Sequence, residues 1–134
     1  MADAAMVNLT IEGRPVSVAA GTSILEAAKL AGVLIPHYCY HPALPVAGVC
    51  RMCLVEVEKS AKLAPSCATS VAEGQVVHVH SESALVARKG VLEMLLINHP
   101  LDCPICDQSG ECELQDYTFQ EGRADSRYRE PKRF

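Results

Sequence analysis

The stretch "CYHPALPVAGVCRMC", residues 39–53, places three cysteines within fifteen residues and decides how the chain around it can fold. Between Cys39 and Cys50 the stretch contains two prolines and a glycine, which exclude a helix or a central strand. A further cysteine, Cys67, extends the spacing to C-x10-C-x2-C-x13-C. The sequence therefore predicts a stiff loop that brings four thiolates together, with Cys39 and Cys67 closing the set from either side.

Four thiolates at this spacing can hold a [2Fe–2S] cluster, a [4Fe–4S] cluster or a structural Zn²⁺ ion. Backbone N–H groups of a tight loop can point at sulfur and stabilise an anionic cluster, and Arg51 can offset part of its charge. His37 and His41 flank the first cysteine, but four cysteines make them unnecessary as ligands, so we expect supporting or surface roles. The spacing alone leaves the metal open.

A second set of donors lies in "NHPLDCPICDQSGEC", residues 98–112, where one histidine precedes three cysteines as H-x3-C-x2-C-x5-C. Its members are His99, Cys103, Cys106 and Cys112. Zinc knuckles place the histidine between cysteines, and this acidic loop lacks the stacking aromatics that single-stranded nucleic acid requires. We therefore favour a [4Fe–4S] cluster over zinc. An imidazole in place of a thiolate makes such a cluster less negative and should raise its reduction potential.

The composition excludes several classes of protein. The chain has 134 residues, of which 49% are hydrophobic and 21% charged, so we expect a globular protein. The net charge of −4 disfavours nucleic acid as a partner. The most hydrophobic stretch, residues 91–97, is too short to cross a bilayer, and the N-terminus does not resemble a secretory signal. Seven cysteines in a reducing compartment then indicate metal ligands rather than disulfides.

Hydrophobic periodicity predicts an α+β fold. Residues 7–11 and 16–20 form a hairpin, and Ser23 with Glu26 begins a helix that ends at Gly32. Further elements are predicted as strands over 54–57 and 76–80, a helix from Ser81 or Ser83 to about Asn98, and a short helix over 113–120. We expect a helix across a small sheet, followed by a helical unit that begins near residue 81.

Three other features have ordinary interpretations. The residues from Met94 to Ile97 are expected to lie in the core, with a stripe that faces a partner as the alternative. His78 and His80 share one face of a strand, where we expect them to be solvated rather than a metal pair. Residues 121–134 carry five basic and three acidic side chains, a net +2, and are interpreted as a solvated end.

The two cysteine regions resemble a known family. The segments "HYCYHPALPVAGVCRMCLVEVE", residues 37–58, and "APSCATSV", residues 64–71, resemble the [2Fe–2S] domain of the large iron–sulfur subunit of respiratory complex I. The same module occurs in NAD-linked and iron-only hydrogenases and in NAD-linked formate dehydrogenases. The segment "NHPLDCPICDQSGECELQD", residues 98–116, is similar to the [4Fe–4S] motif of that family, and "SRYREPKR", residues 126–133, is similar to the segment just after that motif. The resemblance covers essentially the whole chain.

The resemblance implies a β-grasp, ferredoxin-like [2Fe–2S] domain over 1–80 and a small, mostly helical [4Fe–4S] domain over 81–134. In the first, the implied ligands are Cys39, Cys50, Cys53 and Cys67. In the second, they are His99, Cys103, Cys106 and Cys112, that is, one histidine and three cysteines.

The implied function is to relay single electrons from an NADH-oxidising flavoprotein partner toward quinone. The implied partners are that flavin- and NADH-binding iron–sulfur subunit and other peripheral-arm subunits, on the cytoplasmic face of the inner membrane. No nucleic acid, no membrane insertion and no independent catalytic site are expected. Since the chain has no glycine-rich phosphate loop, we expect it to bind neither NADH nor flavin itself. An electron-transfer subunit of a hydrogenase or formate dehydrogenase is the alternative, and a zinc-binding interaction module is the alternative from another class. The family's subunit continues with further cluster cysteines, so either this chain is a fragment of a longer subunit or a partner supplies the missing cluster. We expect a fragment, because the basic run ending in "EPKRF", residues 130–134, resembles an interrupted sequence.

Overall fold

The computed structural model describes residues 5–134, which form a small mixed sheet and three helices. In chain order the elements are β1 (Met6–Ile11), β2 (Arg14–Ala19), α1 (Ile24–Leu30), β3 (Leu54–Val57), β4 (Ala64–Pro65), β5 (Val76–His78), α2 (Glu82–Leu96), a 3-10 turn (Cys103–Ile105) and α3 (Glu113–Glu121).

The strands form one five-stranded sheet in the order β2-β1-β5-β3-β4. The strand β5 pairs in parallel with β1, while the β1–β2, β3–β5 and β3–β4 pairs are antiparallel. Apolar side chains of α1 and of the sheet share one core, which includes Leu9, Ile11, Ile24, Val55 and Val77. This arrangement is the β-grasp form of an α+β fold, and it confirms the predicted fold class.

The hairpin of β1 and β2 follows the predicted pattern. Leu9 and Ile11 are buried, whereas Asn8, which points to the other face of the strand, is exposed. Glu12 and Gly13 connect the strands with φ angles of 50° and 75°, and two positive φ angles are what the tightest hairpin turns require. Glu12, which adopts this left-handed conformation, also accepts hydrogen bonds through its carboxylate at the end of β5.

The helix α1 begins as predicted, but only half of the expected capping box forms. The Ser23 hydroxyl accepts a hydrogen bond of 3.2 Å from the Glu26 N–H, and Gly32 comes after the helix with a φ of 80°. The Glu26 carboxylate does not return to the cap, because it accepts the hydroxyl of Tyr40. That hydrogen bond is the main cause that raises the pKa of Tyr40 to about 12. It ties α1 to the loop beside Cys39.

The sheet differs from the sequence prediction most clearly at β4 and β5. The strand β4 was not predicted, since two residues, one of them a proline, carry no periodicity. The strand β5 ends at His78 rather than at residue 80. The reason is that the next two N–H groups, of Val79 and His80, donate to the Glu12 carboxylate instead of to a neighbouring strand.

The helix α2 confirms the predicted span and its cap, since the Ser81 hydroxyl accepts from the Ala84 N–H at 3.3 Å. Its buried residues are spaced four apart, at Ala84, Arg88 and Leu92. The expectation that residues 94–97 lie in the core is wrong for Met94 and Leu95, which are 71% and 44% exposed. Two residues along a helix turn the side chain by about 200°, so Met94 faces away from the buried side.

Arg88 is fully buried and joins α2 to two other parts of the chain. Its guanidinium donates to Glu121 of α3 at 3.1 Å and to the carbonyl of Val79 after β5. Its Nε has no hydrogen-bond partner among the described residues. A buried charge is tolerated only when paired, so these contacts fix how α2, α3 and the sheet lie together.

The basic end of the chain is largely exposed, which agrees with the interpretation of a solvated end, but two of its side chains also contact α2. Arg127 donates to both carboxylate oxygens of Glu93, at 2.8 and 2.6 Å. Lys132 donates to the carbonyl of Leu96 at 2.7 Å. These contacts form because α2 presents an acidic side chain and, at its end, carbonyls that have no partner within the helix.

The three described helices are short, and the longest, α2, has 15 residues. Among residues 5–134, none is both long enough and apolar enough to cross a membrane.

Replacing Arg88 with alanine is expected to lower the free energy of unfolding by about 3–5 kcal/mol, because it leaves the partly buried carboxylate of Glu121 and the carbonyl of Val79 without their partner. Urea unfolding followed by circular dichroism measures the change. The control is Lys89→Ala, at the next, exposed position of the same helix, which should cost no more than about 0.5 kcal/mol. Equal costs for the two variants would contradict the role of Arg88.

Candidate metal centres

Strand pairing sets the positions of the two buried cysteines of the first set. Cys53 directly precedes β3 and Cys67 comes just after β4, and the two strands pair with Leu54 opposite Pro65. Ser66 extends this pairing, since its N–H and hydroxyl both donate to the Cys53 carbonyl, at 3.2 and 2.8 Å. The side chains of Cys53 and Cys67 are 1% and 2% exposed. Their sulfurs are thus held within the core beside the sheet.

The four cysteines of the first set lie in one neighbourhood. Burial is the main cause that raises the pKa of Cys67 to about 12, and the nearby Cys53, Cys39 and Cys50 contribute to this rise because they disfavour its charged form. A thiol in this position becomes a thiolate only when a positive group takes the place of its proton. The donor chemistry therefore fits a metal group that contacts all four sulfurs.

The partly exposed Cys39 has the opposite environment. Backbone N–H groups around its sulfur lower its pKa, chiefly that of Cys50, with further contributions from Val49 and Gly48. The loop presents these groups because Gly48 has a φ of 64°, a conformation that suits glycine. The sequence predicted N–H groups directed at sulfur in this loop but could not say which ones.

The histidines beside Cys39 have backbone partners near to them in sequence. The Nδ1 atom of His37 lies 2.8 Å from the carbonyl oxygen of Ile35, and the Nδ1 atom of His41 accepts from the Ala43 N–H at 3.1 Å. These contacts agree with supporting roles. The strand histidine His78 contacts the Glu58 carboxylate at 2.8 Å, so it is engaged with an acid rather than with His80.

The donors of the second set line a single cavity of about 550 Å³. His99 lies just beyond α2, Cys103 begins the 3-10 turn, and Cys112 is the residue that precedes α3. The other lining residues are mostly apolar and include Leu96, Pro100, Ile105, Leu114 and Phe119. The structure thus brings together all four donors that the sequence grouped, Cys106 included.

Successive turns wind the loop around this cavity. The Cys106 N–H donates to the Cys103 carbonyl at 3.2 Å, and the Ser109 N–H donates to the Cys106 carbonyl at 3.1 Å. Gly110 then takes a φ of 90° and its N–H donates to the Gln115 side chain at 3.2 Å. A left-handed residue here lets the loop reverse within the five residues between two cysteines. Three sulfurs and one imidazole around an apolar cavity fit a cluster of several irons.

The donors of each set lie near one another, but their side chains do not converge on a single position. Among the described residues 5–134, no three His, Cys, Asp or Glu side chains converge closely enough to hold a single metal ion.

An aromatic contact that the sequence did not indicate joins the two sets. Tyr38, beside Cys39, packs edge-on against Tyr117 of α3, with ring centroids 5.2 Å apart. Its pKa is raised mainly by burial, and also by Tyr117 and by Cys112 of the second set. Cys50 of the first set adds a smaller contribution of the same sign. Tyr38 therefore lies close to cysteines of both sets.

Two family models match the chain. The model described as a 2Fe-2S iron-sulfur cluster binding domain matches residues 4–82, which is more than half of the chain. The model described as the NADH-ubiquinone oxidoreductase-G iron-sulfur binding region, of the 4Fe-4S type, matches residues 88–127. The first range contains the four-cysteine set and the second contains the set of one histidine and three cysteines.

Curated relatives match over almost the whole chain. The G subunit of the NADH-quinone oxidoreductase of Rickettsia bellii is 53% identical over 128 residues, which are 96% of this chain and 19% of the relative. The mitochondrial NADH-ubiquinone oxidoreductase 78 kDa subunit of Candida albicans is 57% identical over 126 residues, which are 94% of this chain and 18% of the relative. The chain thus spans about a fifth of the length of these relatives.

A solved structure has the same fold. The crystal structure of an NAD⁺-reducing [NiFe]-hydrogenase in the H2-reduced state is 32% identical, with a TM-score of 0.79. The match covers 96% of this chain and 56% of that one. The sequence resemblance implied this similarity both to subunits of NADH-quinone oxidoreductases and to an NAD-linked hydrogenase.

The matched regions agree with the two donor sets in order and in cluster type. The cofactors of the chain are accordingly one [2Fe–2S] cluster and one [4Fe–4S] cluster, as the sequence predicted. The chain belongs to the family of 2Fe-2S iron–sulfur cluster binding domains and continues into the iron–sulfur binding region of the NADH-ubiquinone oxidoreductase-G family.

Proposed function

We propose that this chain relays single electrons from an NADH-oxidising flavoprotein partner toward quinone, as part of an NADH-quinone oxidoreductase. An iron–sulfur cluster supplies the chemistry, because it gains and loses one electron at a time. The observation that carries the proposal is that two donor sets of different chemistry lie in one chain and are joined by Tyr38 and Tyr117. The names of the curated relatives supply the direction from NADH to quinone.

In the first site, we assign the [2Fe–2S] ligands to Cys39, Cys50, Cys53 and Cys67. The buried pair is supported by the pairing of β3 with β4, and the loop pair by the N–H groups that lower the pKa of Cys39. The chain's own work at this site is to exclude water on the buried side and to supply N–H dipoles on the exposed side. Both affect how readily an electron is accepted.

In the second site, we assign the [4Fe–4S] ligands to His99, Cys103, Cys106 and Cys112. Their common cavity supports the assignment. Leu96, Leu114 and Phe119 contribute apolar surface to the cavity, and His99 contributes a neutral donor. With one thiolate fewer, the site carries less negative charge than one with four cysteines.

The division into a [2Fe–2S] domain over 1–80 and a [4Fe–4S] domain over 81–134 is part of the proposal. The matched ranges, 4–82 and 88–127, support a boundary in this region. The contacts of Arg88 with Val79 and Glu121 cross that boundary. We infer that the two units work as one body rather than as separately moving modules.

The proposed partners are the flavin- and NADH-binding iron–sulfur subunit and other peripheral-arm subunits, on the cytoplasmic face of the inner membrane. The names of the relatives support assembly into such a complex. We assign this chain an electron-carrying role with no catalytic site of its own. The structural likeness to an NAD⁺-reducing hydrogenase favours the alternative of a hydrogenase or formate dehydrogenase subunit. We prefer the quinone-reducing complex because the corresponding subunits from Rickettsia bellii and Candida albicans are 53% and 57% identical to this chain, whereas the hydrogenase is 32% identical.

A complex isolated through a tag on the subunit that contains this chain is expected to reduce quinone with NADH. The variant Cys103→Ser should abolish that activity, and the iron bound by these two sites should fall from about six to about two atoms. The [2Fe–2S] signal in electron paramagnetic resonance should persist. The control is His41→Ala, which should keep both clusters. Hydrogen-dependent reduction of NAD⁺ would favour the alternative, and stoichiometric zinc would contradict both.

Replacing His99 with cysteine is expected to keep a [4Fe–4S] signal and to shift its midpoint potential to more negative values. The reason is that a thiolate adds negative charge to the site, which disfavours reduction. A redox titration followed by electron paramagnetic resonance measures the shift. The control is His80→Cys, at an exposed position nineteen residues earlier in the chain. An unchanged potential in His99→Cys would argue that His99 is not a ligand.

Replacing Gly48 with alanine is expected to destabilise the [2Fe–2S] loop by about 1–2 kcal/mol, since its φ of 64° is strained for a residue with a Cβ. Loss of the cluster's visible absorbance during urea unfolding measures the effect. The matched variant is Gly48→Asn, which should lose less because asparagine tolerates this conformation. Space is not the obstacle, as an added Cβ would lie 3.7 Å from the Cβ of Ala68. Equal losses in both variants would show that backbone strain is not the cause.

A further inference from the structure

The C-terminal end of α2 has an unusual source of positive charge. The last carbonyls of a helix have no partners within the helix and form the negative end of its dipole. The last turn of α2 contains no basic residue. Instead Lys132, which lies 36 residues beyond Leu96, donates from its ammonium group to the carbonyls of Leu96 and Ile97, at 2.7 and 3.2 Å. Lysine side chains commonly stabilise helix ends in this way, but usually from the helix itself.

The neighbouring residues of the tail hold Lys132 in place. Arg127 makes two hydrogen bonds with Glu93 of α2, at 2.8 and 2.6 Å, and these bonds lower the pKa of Glu93. On the other side, the Arg133 N–H donates to the Asn98 side chain at 2.9 Å. The tail is thus attached to α2 both before and after Lys132, and the lysine itself is partly buried.

The same carbonyl connects Lys132 to the second donor set. The backbone N–H of His99 donates to the Leu96 carbonyl at 3.2 Å, so His99 and Lys132 share one acceptor. Leu96 and His99 both line the cavity of that set. The helix end would otherwise present its negative pole to a site that becomes more negative on reduction. The lysine charge opposes that pole where the chain leaves the helix.

We propose that Lys132 is a positioning residue for the [4Fe–4S] site, which holds the segment from Leu96 to His99 in place and raises the reduction potential of the cluster through its charge. The inference rests on the proposed assignment of His99 as a ligand. It goes beyond that assignment because it gives the basic tail a role in tuning one centre. The tail offers a matched control in Arg129, which has the same charge but is exposed and has no hydrogen bond or ion pair among the described residues.

The experiment compares Lys132→Met, Lys132→Arg and Arg129→Met in the cluster-loaded complex. The midpoint potential of the [4Fe–4S] centre is measured by redox titration, and backbone exchange at His99 is measured by hydrogen–deuterium exchange with mass spectrometry. In Lys132→Met the potential should become more negative, and exchange at His99 should be about tenfold faster because a charge-assisted hydrogen bond to its acceptor is lost. Lys132→Arg should restore both properties, and Arg129→Met should change neither.

Each other outcome overturns the proposal. If Arg129→Met shifts the potential as much as Lys132→Met, net charge rather than position is responsible. If either readout is unchanged in Lys132→Met, the lysine does not couple the helix end to the cluster. Failure of the ligand assignment gives a different result, because His99→Cys would then leave the potential unchanged.

Discussion

The pairing of β3 with β4 is the constraint on which the first centre and the core around it depend. It is only two residues long on one side, yet it sets Cys53 and Cys67 beside each other in the core. The double hydrogen bond from Ser66 to the Cys53 carbonyl reinforces it. Because burial raises the pKa of Cys67, its free thiol suits the core only as a neutral group. A bound cluster would replace the thiol proton of Cys67, so the positions of β3 and β4 and the binding of the metal would depend on each other.

The two centres are held together by contacts that serve no ligand directly. Arg88 joins α2, α3 and the end of the sheet through a buried charge, while Tyr38 packs against Tyr117 between the two donor sets. The docked tail adds a third attachment along α2 through Arg127 and Lys132. An electron relay benefits from such rigidity, because the potential of each centre depends on a fixed set of dipoles, charges and apolar surfaces.

Local patterns in the sequence were good predictors where a short segment decides its own structure. The alternation of β1 and β2, the Ser23 cap of α1 and the Ser81 cap of α2 were all predicted and confirmed. Errors arose where a distant group intervened. The Glu12 carboxylate ends β5 early, and the Tyr40 hydroxyl takes the carboxylate that would complete the capping box. Neither contact has a signature in local periodicity.

By itself, the sequence determined the kind of chemistry, because ligand type and spacing are local properties: eight donors fell into two sets, and the family resemblance gave the cluster types. Only the tertiary structure decided which groups surround those donors. The N–H groups of the Gly48 turn, the bridge at Tyr38 and the lysine at the end of α2 depend on contacts between residues far apart in sequence. A run of basic residues looks the same in a free tail and in a docked one. What separates them is whether a carboxylate such as Glu93 and the last carbonyls of a helix lie within reach, and that is settled only when the helix and the tail meet.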